Sequence, residues 1–284
     1  MAATSAVAAD VVYKKAPPQP VQLPAVDGLN GKFDAFGGSA NHHGYYAGTG
    51  SLSVPVGQQF GVQFDGLAGS YRNAFLRALA THVFWRNPSQ GLFGLYGSNA
   101  HLDRLGGVDV GKFGTEGAIY VGRATLEGIV GVEFGNSRTA TTGNVTETID
   151  IKTRFFDRIS LGYYLTDNLK LAIGHRYTGG KSALTLGGEW GFAVPGTIHM
   201  GSAFVESRLA SGDASVWAGL RMYVGQKSKS LIRRHREDDP VNVLGDEAGT
   251  LGNSSSSSPA TTGGGGGGCP PGFGPAPGGG CQGL

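Results

Sequence analysis

Residues 148–225 read as strand after strand in which apolar and polar side chains alternate with a period of two. Near the end of this stretch, Val216 and Leu220 share one parity, while Ser215 and Arg221 share the other. Successive side chains of a strand point to opposite faces of a sheet, so one face meets an apolar medium and the other meets water or a polar lumen. No helical pattern of similar length interrupts the stretch.

The composition restricts what the apolar medium can be. Glycine accounts for 51 of the 284 residues, and only 15% of residues are charged, against a usual share of about 25% charged. The chain contains no run of about 18 apolar residues, so the sequence predicts no transmembrane helix. A β-barrel needs apolar residues only at alternate positions, and it is the membrane architecture that fits this hydropathy. The net charge of +2 gives no reason to expect a nucleic-acid partner.

The spacing of the strands predicts an all-β fold, a transmembrane antiparallel up-and-down β-barrel of about twelve strands. Every second connection is short, for example near Gly122 and Asn168, and several of the others are longer and polar, above all 136–147. Short turns on one side and longer loops on the other are typical of periplasmic and extracellular connections. We therefore expect both barrel termini on the periplasmic side. The strands are expected to begin near Lys32, Tyr45, Phe60, Ala74, Gly91, Val108, Ala124, Ile149, Leu169, Ser182, Thr197 and Ala214.

Three domains follow from this organisation. Residues 1–30 are interpreted as the remnant of a signal peptide and a proline-rich leader, because Ala6 to Asp10 has the small residues of a signal cleavage region. Residues 31–225 are the barrel. Residues 226–284 are predicted to form a charged and then Gly/Ser-rich disordered tail.

Aromatic residues collect near the predicted periplasmic ends of the strands. Aromatic rings prefer the membrane interface, where an apolar body lies in lipid and a polar tip reaches the headgroups. We therefore assign six residues to an interfacial belt: Trp85, Tyr120, Tyr163, Trp190, Phe192 and Tyr223.

The strand predicted from Ile149 to Leu165 contains one exception to the apolar row, Asp157. An acidic side chain facing lipid is destabilising near the middle of the bilayer and less so near its rim. We therefore expect a β-bulge at Asp157 or a position outside the bilayer.

The opposite parity collects charged residues that are expected to face the lumen. They define either a polar pore biased toward anions, or a narrow lumen that the pairing of opposite charges closes. The predicted lumen-lining residues are Asp65, Glu127, Glu133, Lys152, Arg154, Arg158, Lys170, Arg176, Glu189 and Arg221.

The stretches 155–157, 162–168 and 174–177 resemble porin-like outer-membrane β-barrel proteins of alphaproteobacteria, of the surface-antigen type. Trp217 to Gly225 is similar to their last strand, and the likeness covers roughly residues 9–225. The resemblance implies an outer-membrane location, contact with outer-membrane lipids, and insertion by the barrel-assembly machinery. Many barrels end on their last strand with an aromatic residue, whereas here about sixty residues follow Gly225.

The leading function is a structural outer-membrane protein or a narrow porin-like channel for small solutes, without catalytic activity, cofactor or metal. A first alternative is a lipid-modifying barrel hydrolase in which His175, Ser182 and Glu189 would supply the catalytic groups. A second alternative is a secreted soluble β-sandwich that binds a ligand. In the tail, Cys269 and Cys281 are candidates for a disulfide, because an oxidising compartment favours one.

Overall fold

The computed structural model describes residues 23–142, 145–225, 227–253, 255–259, 273–275 and 281–283. Twelve antiparallel strands form one closed barrel in which each strand pairs with its neighbours and the first pairs with the last, which confirms the predicted fold class. The barrel strands are β1 (Asn30–Ala40), β2 (His43–Val56), β3 (Phe60–Tyr71), β4 (Ala74–Asn87), β5 (Gly91–Leu102), β6 (Val108–Val121), β7 (Ala124–Gly135), β10 (Arg154–Thr166), β11 (Leu169–Thr178), β12 (Lys181–Ala193), β13 (Met200–Ala210) and β14 (Asp213–Val224).

The two ends of the barrel differ in their connections. At one end, here called the turn end, lie the connections 57–59, 88–90, 122–123, 167–168 and 194–199, with the first residue of β1 and the last of β14. At the other, here called the loop end, four of the six connections are two-residue turns, and only 103–107 and 136–153 are longer. The turn Asn41–His42 has positive φ at both residues, which closes a tight hairpin. The loop side is therefore shorter than the sequence pattern predicted.

The outer surface of the barrel is apolar. Leu79, Phe93 and Leu220 are exposed by 70%, 63% and 64% although they lie in the middle of strands. Lys32, Asp65 and Arg176, which have the opposite parity, are almost fully buried inside the barrel. A closed sheet with this distribution has the architecture of a transmembrane barrel, and it does not form the two packed sheets that the sandwich alternative requires.

The prediction that a lipid-facing strand starts near Ile149 is wrong. Residues Arg138–Thr142 and Val145–Ile149 form a separate hairpin, β8 and β9, at the loop end, and the wall resumes only at Arg154. Ile149 and Ile151 are buried in the apolar cluster at this end. Their alternation with polar residues continued the pattern of β10 in the sequence, but it reflects burial beneath the loop rather than contact with lipid.

The predicted tail must also be corrected. Residues 227–253, here called the luminal segment, lie inside the barrel and run from its turn end to its loop end. The segment contains the helix α1 (Leu231–Glu237), a 3₁₀ turn (Leu244–Asp246) and the helix α2 (Glu247–Asn253). None of the helices in the described residues is long and apolar enough to cross a bilayer.

The chain beyond the luminal segment continues at the loop end. Strand β15 (Ser255–Pro259) adds to β9 in antiparallel register and completes a three-stranded sheet outside the wall. Strands β16 (Phe273–Pro275) and β17 (Cys281–Gly283) pair with each other. The predicted disulfide lies outside what the structure describes, because Cys269 and the side chain of Cys281 are not among the described parts.

Apolar packing fixes the luminal segment at both ends. At the loop end, Leu244, Ala248 and Leu251 are fully buried in a cluster that includes Tyr45 and Trp217 of the wall. At the turn end, Leu231 packs in a smaller cluster. Burial of one leucine-sized side chain contributes about 1.5–3 kcal/mol, so these residues explain why a strongly charged segment remains inside the barrel.

The last residues of the leader close the turn end. Val26 packs with Phe84 and Leu92, and the backbone N–H of Asp27 donates to the carbonyl of Glu237 at 2.9 Å. The leader and α1 therefore cover the turn end together.

Candidate functional site: the lumen and the segment that fills it

Nine of the ten predicted lumen-lining residues lie on the inward face. Lys152 is the exception and must be corrected: it precedes β10 in the loop-end connection, its side chain is 70% exposed, and it pairs with Asp150. The parity argument failed for Lys152 because the strand begins two residues later, at Arg154. The inward residues are Asp65, Glu127, Glu133, Arg154, Arg158, Lys170, Arg176, Glu189 and Arg221.

The inward charges pair between strands that are adjacent or separated by one strand. Arg221 donates to both carboxylate oxygens of Asp34 at 2.7 and 2.9 Å, and to Glu189 at 2.8 Å. Lys170 donates to Glu127 at 3.1 Å. A guanidinium that binds two carboxylates in this way is held rigidly. The charges in this part of the wall are therefore balanced by other residues of the wall.

A second network lies on the opposite wall. The two ring nitrogens of His82 lie 2.7 Å from Glu116 and 3.0 Å from Asp65, and the imidazole is completely buried. Gln63 extends the network by donating to Asp65 at 2.8 Å. Buried polar groups with this many partners make the surrounding wall rigid.

The turn-end half of the luminal segment binds the wall through α1. The ring nitrogens of His235 lie 2.8 Å from the hydroxyl groups of Tyr164 and Tyr223. Arg236 donates to the carbonyl of Ala124 at 2.9 Å, and Arg234 donates to the carbonyl of Ile198 at 3.1 Å. Hydrogen bonds to tyrosine hydroxyl groups and backbone carbonyls therefore join this half to the wall, together with one buried ion pair, Lys32–Asp239.

Two of the six predicted interfacial aromatics belong to this luminal contact, which corrects their assignment. Tyr223 is 2% exposed and its hydroxyl donates to Glu189 at 2.7 Å. Tyr120 is 8% exposed, and the guanidinium of Arg236 lies 5.1 Å from its ring centre. Both have inward parity, since Ile119 and Met222 beside them face outward. The other four predicted interfacial aromatics face outward near the turn end: Trp85, Tyr163, Trp190 and Phe192.

The loop-end half binds the wall through acidic residues of the luminal segment. Asp246 lies among three arginines of the wall, 3.4 Å from Arg158 and from Arg176 and 3.7 Å from Arg208. Glu247 accepts from Lys112 at 3.0 Å. Most of the ion pairs between the luminal segment and the wall therefore lie in this half.

Glycine at position 249 is required by the close approach of α2 to the wall. A Cβ atom added at Gly249 would lie 1.3 Å from Nη1 of Arg208 and 2.6 Å from Nη1 of Arg176. The arginines therefore reach the backbone of the helix only because that position has no side chain. At Gly245, in contrast, an added Cβ would be 3.9 Å from Phe36 and from Trp217, an ordinary contact.

The luminal segment does not fill the barrel completely. A cavity of about 80 Å³ remains beside the segment, between it and the wall. Its lining includes the charged residues Arg158, Lys170, Glu189, Arg208 and Asp246. The cavity is large enough for a few water molecules, and its walls carry charges of both signs.

The residues of the hydrolase alternative do not come together. His175 faces outward and lies on the outer surface, whereas Glu189 faces the lumen. His175 instead hydrogen-bonds to Asp157 at 2.8 Å. Ser182 is opposite Tyr177 in the register of β11 and β12, and no hydrogen bond joins it to His175 in the described residues. An imidazole without a hydroxyl in contact has no activated nucleophile.

The hydrogen bond between His175 and Asp157 also explains how an acidic residue is tolerated in the apolar row of β10. Asp157 lies in continuous register with Tyr177 and Val130, so the predicted β-bulge is absent at this position. Its carboxylate pairs with His175, and the rings of Phe155 and Tyr177 stack next to it with their centres 6.5 Å apart. The side chain of Asp157 is only 12% exposed. The contact with His175 and the two neighbouring aromatic rings therefore stabilise Asp157 on the outer wall without a β-bulge.

The sequence analysis missed the residues of the luminal segment itself. His235, Asp246 and Glu247 were assigned to a tail because the chain after Gly225 has no strand period and is strongly charged. A signal was nevertheless present. Leu231, Leu244 and Leu251 interrupt the charged residues, and a solvated tail has no use for regularly placed leucines.

Comparisons with known proteins show the fold but no family. No family model and no curated protein matches this chain. A solved structure described as "Unveiling the Mechanism Behind the in-meso Crystallization of Membrane Proteins" has a TM-score of 0.52 at 12% identity, and covers 76% of this chain and 97% of that one.

Two further solved structures are less similar. The KdgM porin in complex with disordered oligogalacturonate has a TM-score of 0.48 at 8% identity, with 69% of this chain and 99% of that chain covered. An outer membrane channel from Pseudomonas putida F1 has a TM-score of 0.48 at 11% identity, with 74% and 99% covered.

Proposed function

We propose that this protein is an integral β-barrel of a bacterial outer membrane and a narrow, porin-like channel for small solutes. In the conformation described here its own luminal segment closes the channel. The observation that carries this proposal is the contrast between an apolar outer wall and a lumen lined by paired charges and occupied by residues 227–253.

The chemistry of the lumen supports small polar solutes as cargo. The cavity beside the segment is lined by charges of both signs, and rings of charged side chains select solutes by sign in other pores. Twelve strands enclose less room than the 16–18 strands of large porins. The proposal therefore restricts the cargo to small molecules.

The orientation belongs to the same proposal. The longer connections 103–107 and 136–153 are both at the loop end, and extracellular loops of outer-membrane barrels are longer than periplasmic turns. The loop end then faces the outside and both barrel termini face the periplasm. An epitope inserted after Thr142 should be labelled by antibody on intact cells, and the same epitope inserted after Gly122 should not. The reverse labelling pattern would contradict this orientation.

The proposal includes no catalytic activity and retains contact with outer-membrane lipids and the barrel-assembly machinery. The four outward aromatics near the turn end support the lipid contact, because such rings prefer the membrane interface. The Asp157–His175 pair does not favour hydrolysis, since it has no hydroxyl partner among the described residues.

Conductance across a planar lipid bilayer tests the channel. The unaltered protein should show small, infrequent openings. The full-chain variant Gly249→Leu places a bulky side chain against Arg208 and should prevent α2 from seating, so the mean conductance should rise at least tenfold. Gly245→Ala is the matched control, because its methyl group fits, and it should behave like the unaltered protein. A folded, inserted Gly249→Leu variant that stays silent would contradict a channel.

A further inference from the structure

Three inward guanidinium groups converge on one carboxylate near the loop end. Arg158 comes from β10, Arg176 from β11 and Arg208 from β13, and all three make ion pairs with Asp246. The backbone carbonyl of Asp246 also accepts from Arg176 at 3.2 Å and from Arg208 at 3.5 Å. Three different strands therefore present cations to a single point in the lumen.

The wall offers more donors at this point than Asp246 can accept. Nε of Arg176 and both Nε and Nη2 of Arg208 are buried without a hydrogen-bond partner. Both side chains are only 4% exposed, so bulk water does not satisfy them. Each unmet donor in such a position is costly. An anion with more acceptor atoms than one carboxylate would satisfy the cluster better.

The acidic residues of the wall do not neutralise these arginines by themselves. Asp34 lines the neighbouring cavity but is held in a bidentate contact by Arg221. Glu206 also lines that cavity, and among the described residues it is the wall carboxylate there without an ion pair. One carboxylate facing three guanidinium groups leaves the wall with excess positive charge, which the luminal segment balances with Asp246.

We propose that Arg158, Arg176 and Arg208 form an anion-binding site for solutes that carry carboxylate groups, and that Asp246 occupies this site as a built-in ligand. The inference deepens the proposed function and rests on it for the role in transport. Planar guanidinium groups match the geometry of carboxylates and bind them through parallel hydrogen bonds. The carboxylate found in the site is itself the closest available indication of the ligand class.

Binding of a solute at this site is coupled to release of the luminal segment. A dicarboxylate in the site must displace Asp246, since both need the same donors. Binding of the solute then weakens the attachment of α2 to the wall, because a ligand shifts an equilibrium toward the state that it binds better. High concentrations of the solute favour the open state.

Equilibrium binding of succinate to the full chain in detergent micelles tests the site by isothermal titration calorimetry. Asp246→Ala removes the built-in ligand and should bind succinate at least tenfold more tightly than the unaltered protein. Asp238→Ala is the matched control, because Asp238 belongs to the same segment but pairs with Arg234 at the turn end. It should leave the affinity of the unaltered protein unchanged.

The arginines are tested in the background of Asp246→Ala. Adding Arg176→Gln and Arg208→Gln should weaken succinate binding at least tenfold, and adding Arg158→Gln alone should weaken it less. The variant that combines Asp246→Ala with Arg158→Gln keeps the test decisive if the variant with two arginine substitutions does not fold. Equal affinity in the unaltered protein and in Asp246→Ala, or tight binding that survives loss of the arginines, would overturn the inference.

The binding measurement separates this inference from the proposed function, because it requires no flow of ions. Arginine-dependent binding in a barrel that never conducts would refute the channel and leave the anion site. A conducting Gly249→Leu variant, combined with absence of arginine-dependent binding, would refute the site and leave the channel.

Discussion

The two halves of the luminal segment are held by different physical means. In the turn-end half, the basic residues Lys229, Arg233 and Arg234 pair with acids of the same segment, Glu237 and Asp238, so most ion pairs of this half are internal to the segment. In the loop-end half, the acids Asp246 and Glu247 pair with cations of the wall.

This difference indicates where the segment can be released. Departure of the turn-end half leaves one wall cation, Lys32, without its partner Asp239. Departure of the loop-end half uncovers three arginines and a lysine in a poorly hydrated lumen. Breaking a buried ion pair costs about 3–5 kcal/mol when the remaining charge has no replacement. Release at the loop end therefore requires a substitute anion, whereas α1 can loosen independently.

The largest effect is expected from reversing the charge at the loop end. Asp246→Arg places a fourth guanidinium among Arg158, Arg176 and Arg208, and like charges at such distances cost about several kcal/mol. The loop-end half of the luminal segment should leave the lumen, and the amides of residues 244–253 should undergo faster hydrogen exchange in the folded barrel. Asp238→Arg changes the charge equally at the turn end and should have a smaller effect on hydrogen exchange in residues 244–253. Equal acceleration in both variants would remove the distinction between the halves.

A smaller effect is expected from removing one wall cation. Lys112→Met leaves Glu247 buried and without its lysine partner, which should lower the free energy of local opening of α2 by about 3–5 kcal/mol. Faster hydrogen exchange of the amides in 247–253 would report it. Lys181→Met is the matched control, since the Lys181–Asp213 pair lies at the exposed loop end and surface pairs contribute little. Exchange in α2 that is unchanged by Lys112→Met would show that the pair does not hold the helix.

A change at the turn end should be smaller again and confined to that end. His235→Phe removes the hydrogen bonds to Tyr164 and Tyr223, each worth about 0.5–1.5 kcal/mol. Hydrogen exchange should become faster in 231–237 and stay the same in 244–253. Equal acceleration in both halves would mean that the segment opens as one cooperative unit, and the comparison between its ends would fail.

The smallest effect is a dependence on pH outside the lumen. A hydrogen bond from Arg104 holds the pKa of Glu147 in β9 below its ordinary value, and Arg72 adds to the effect. A carboxyl group with a lowered pKa in the folded state stabilises the fold above its unfolded pKa of about 4.3, and this contribution is lost as the pH falls through the folded value.

Below about pH 4, the hydrogen-exchange protection factors of β9 and its partner β15 should therefore fall. The protection factors of α1 should not respond, because Glu147 has no contact with the turn end. Glu147→Gln should remove this pH dependence, with the same protection factors above and below the transition. A pH response that persists in Glu147→Gln would assign it to another group.

The sequence alone predicted the wall because a strand repeats every two residues and lipid enforces the repeat. Leu171 and Lys170 lie on opposite faces as their parity requires. Parity also predicts that Tyr120 and Tyr223 face inward, whereas their position near the ends of the strands favoured the membrane interface. Ile149, Ile151 and Lys152 were misplaced because the alternation continues across the end of β10, and periodicity carries no information about where a wall stops.

The luminal segment could not be predicted in the same way. Its position depends on ion pairs between residues far apart in the chain, such as Lys112 with Glu247, and no local period records such pairs. The segment also lacks the length of apolar sequence that marks a core element. Its leucines and its acids become informative only when the excess of inward arginines at the loop end is known.

The order of assembly follows from the position of the luminal segment. The barrel closes by pairing β1 with β14, from Gly31 opposite Val224 to Ala40 opposite Ser215. The segment directly follows β14, yet it ends at the far side of the ring, where the chain joins β9 through β15. Threading it through a finished ring would mean drawing the remaining chain through a narrow polar opening. If the seam between β1 and β14 closes last, the ring instead forms around the segment. The segment can then bind the inward side chains of the strands before the barrel is complete.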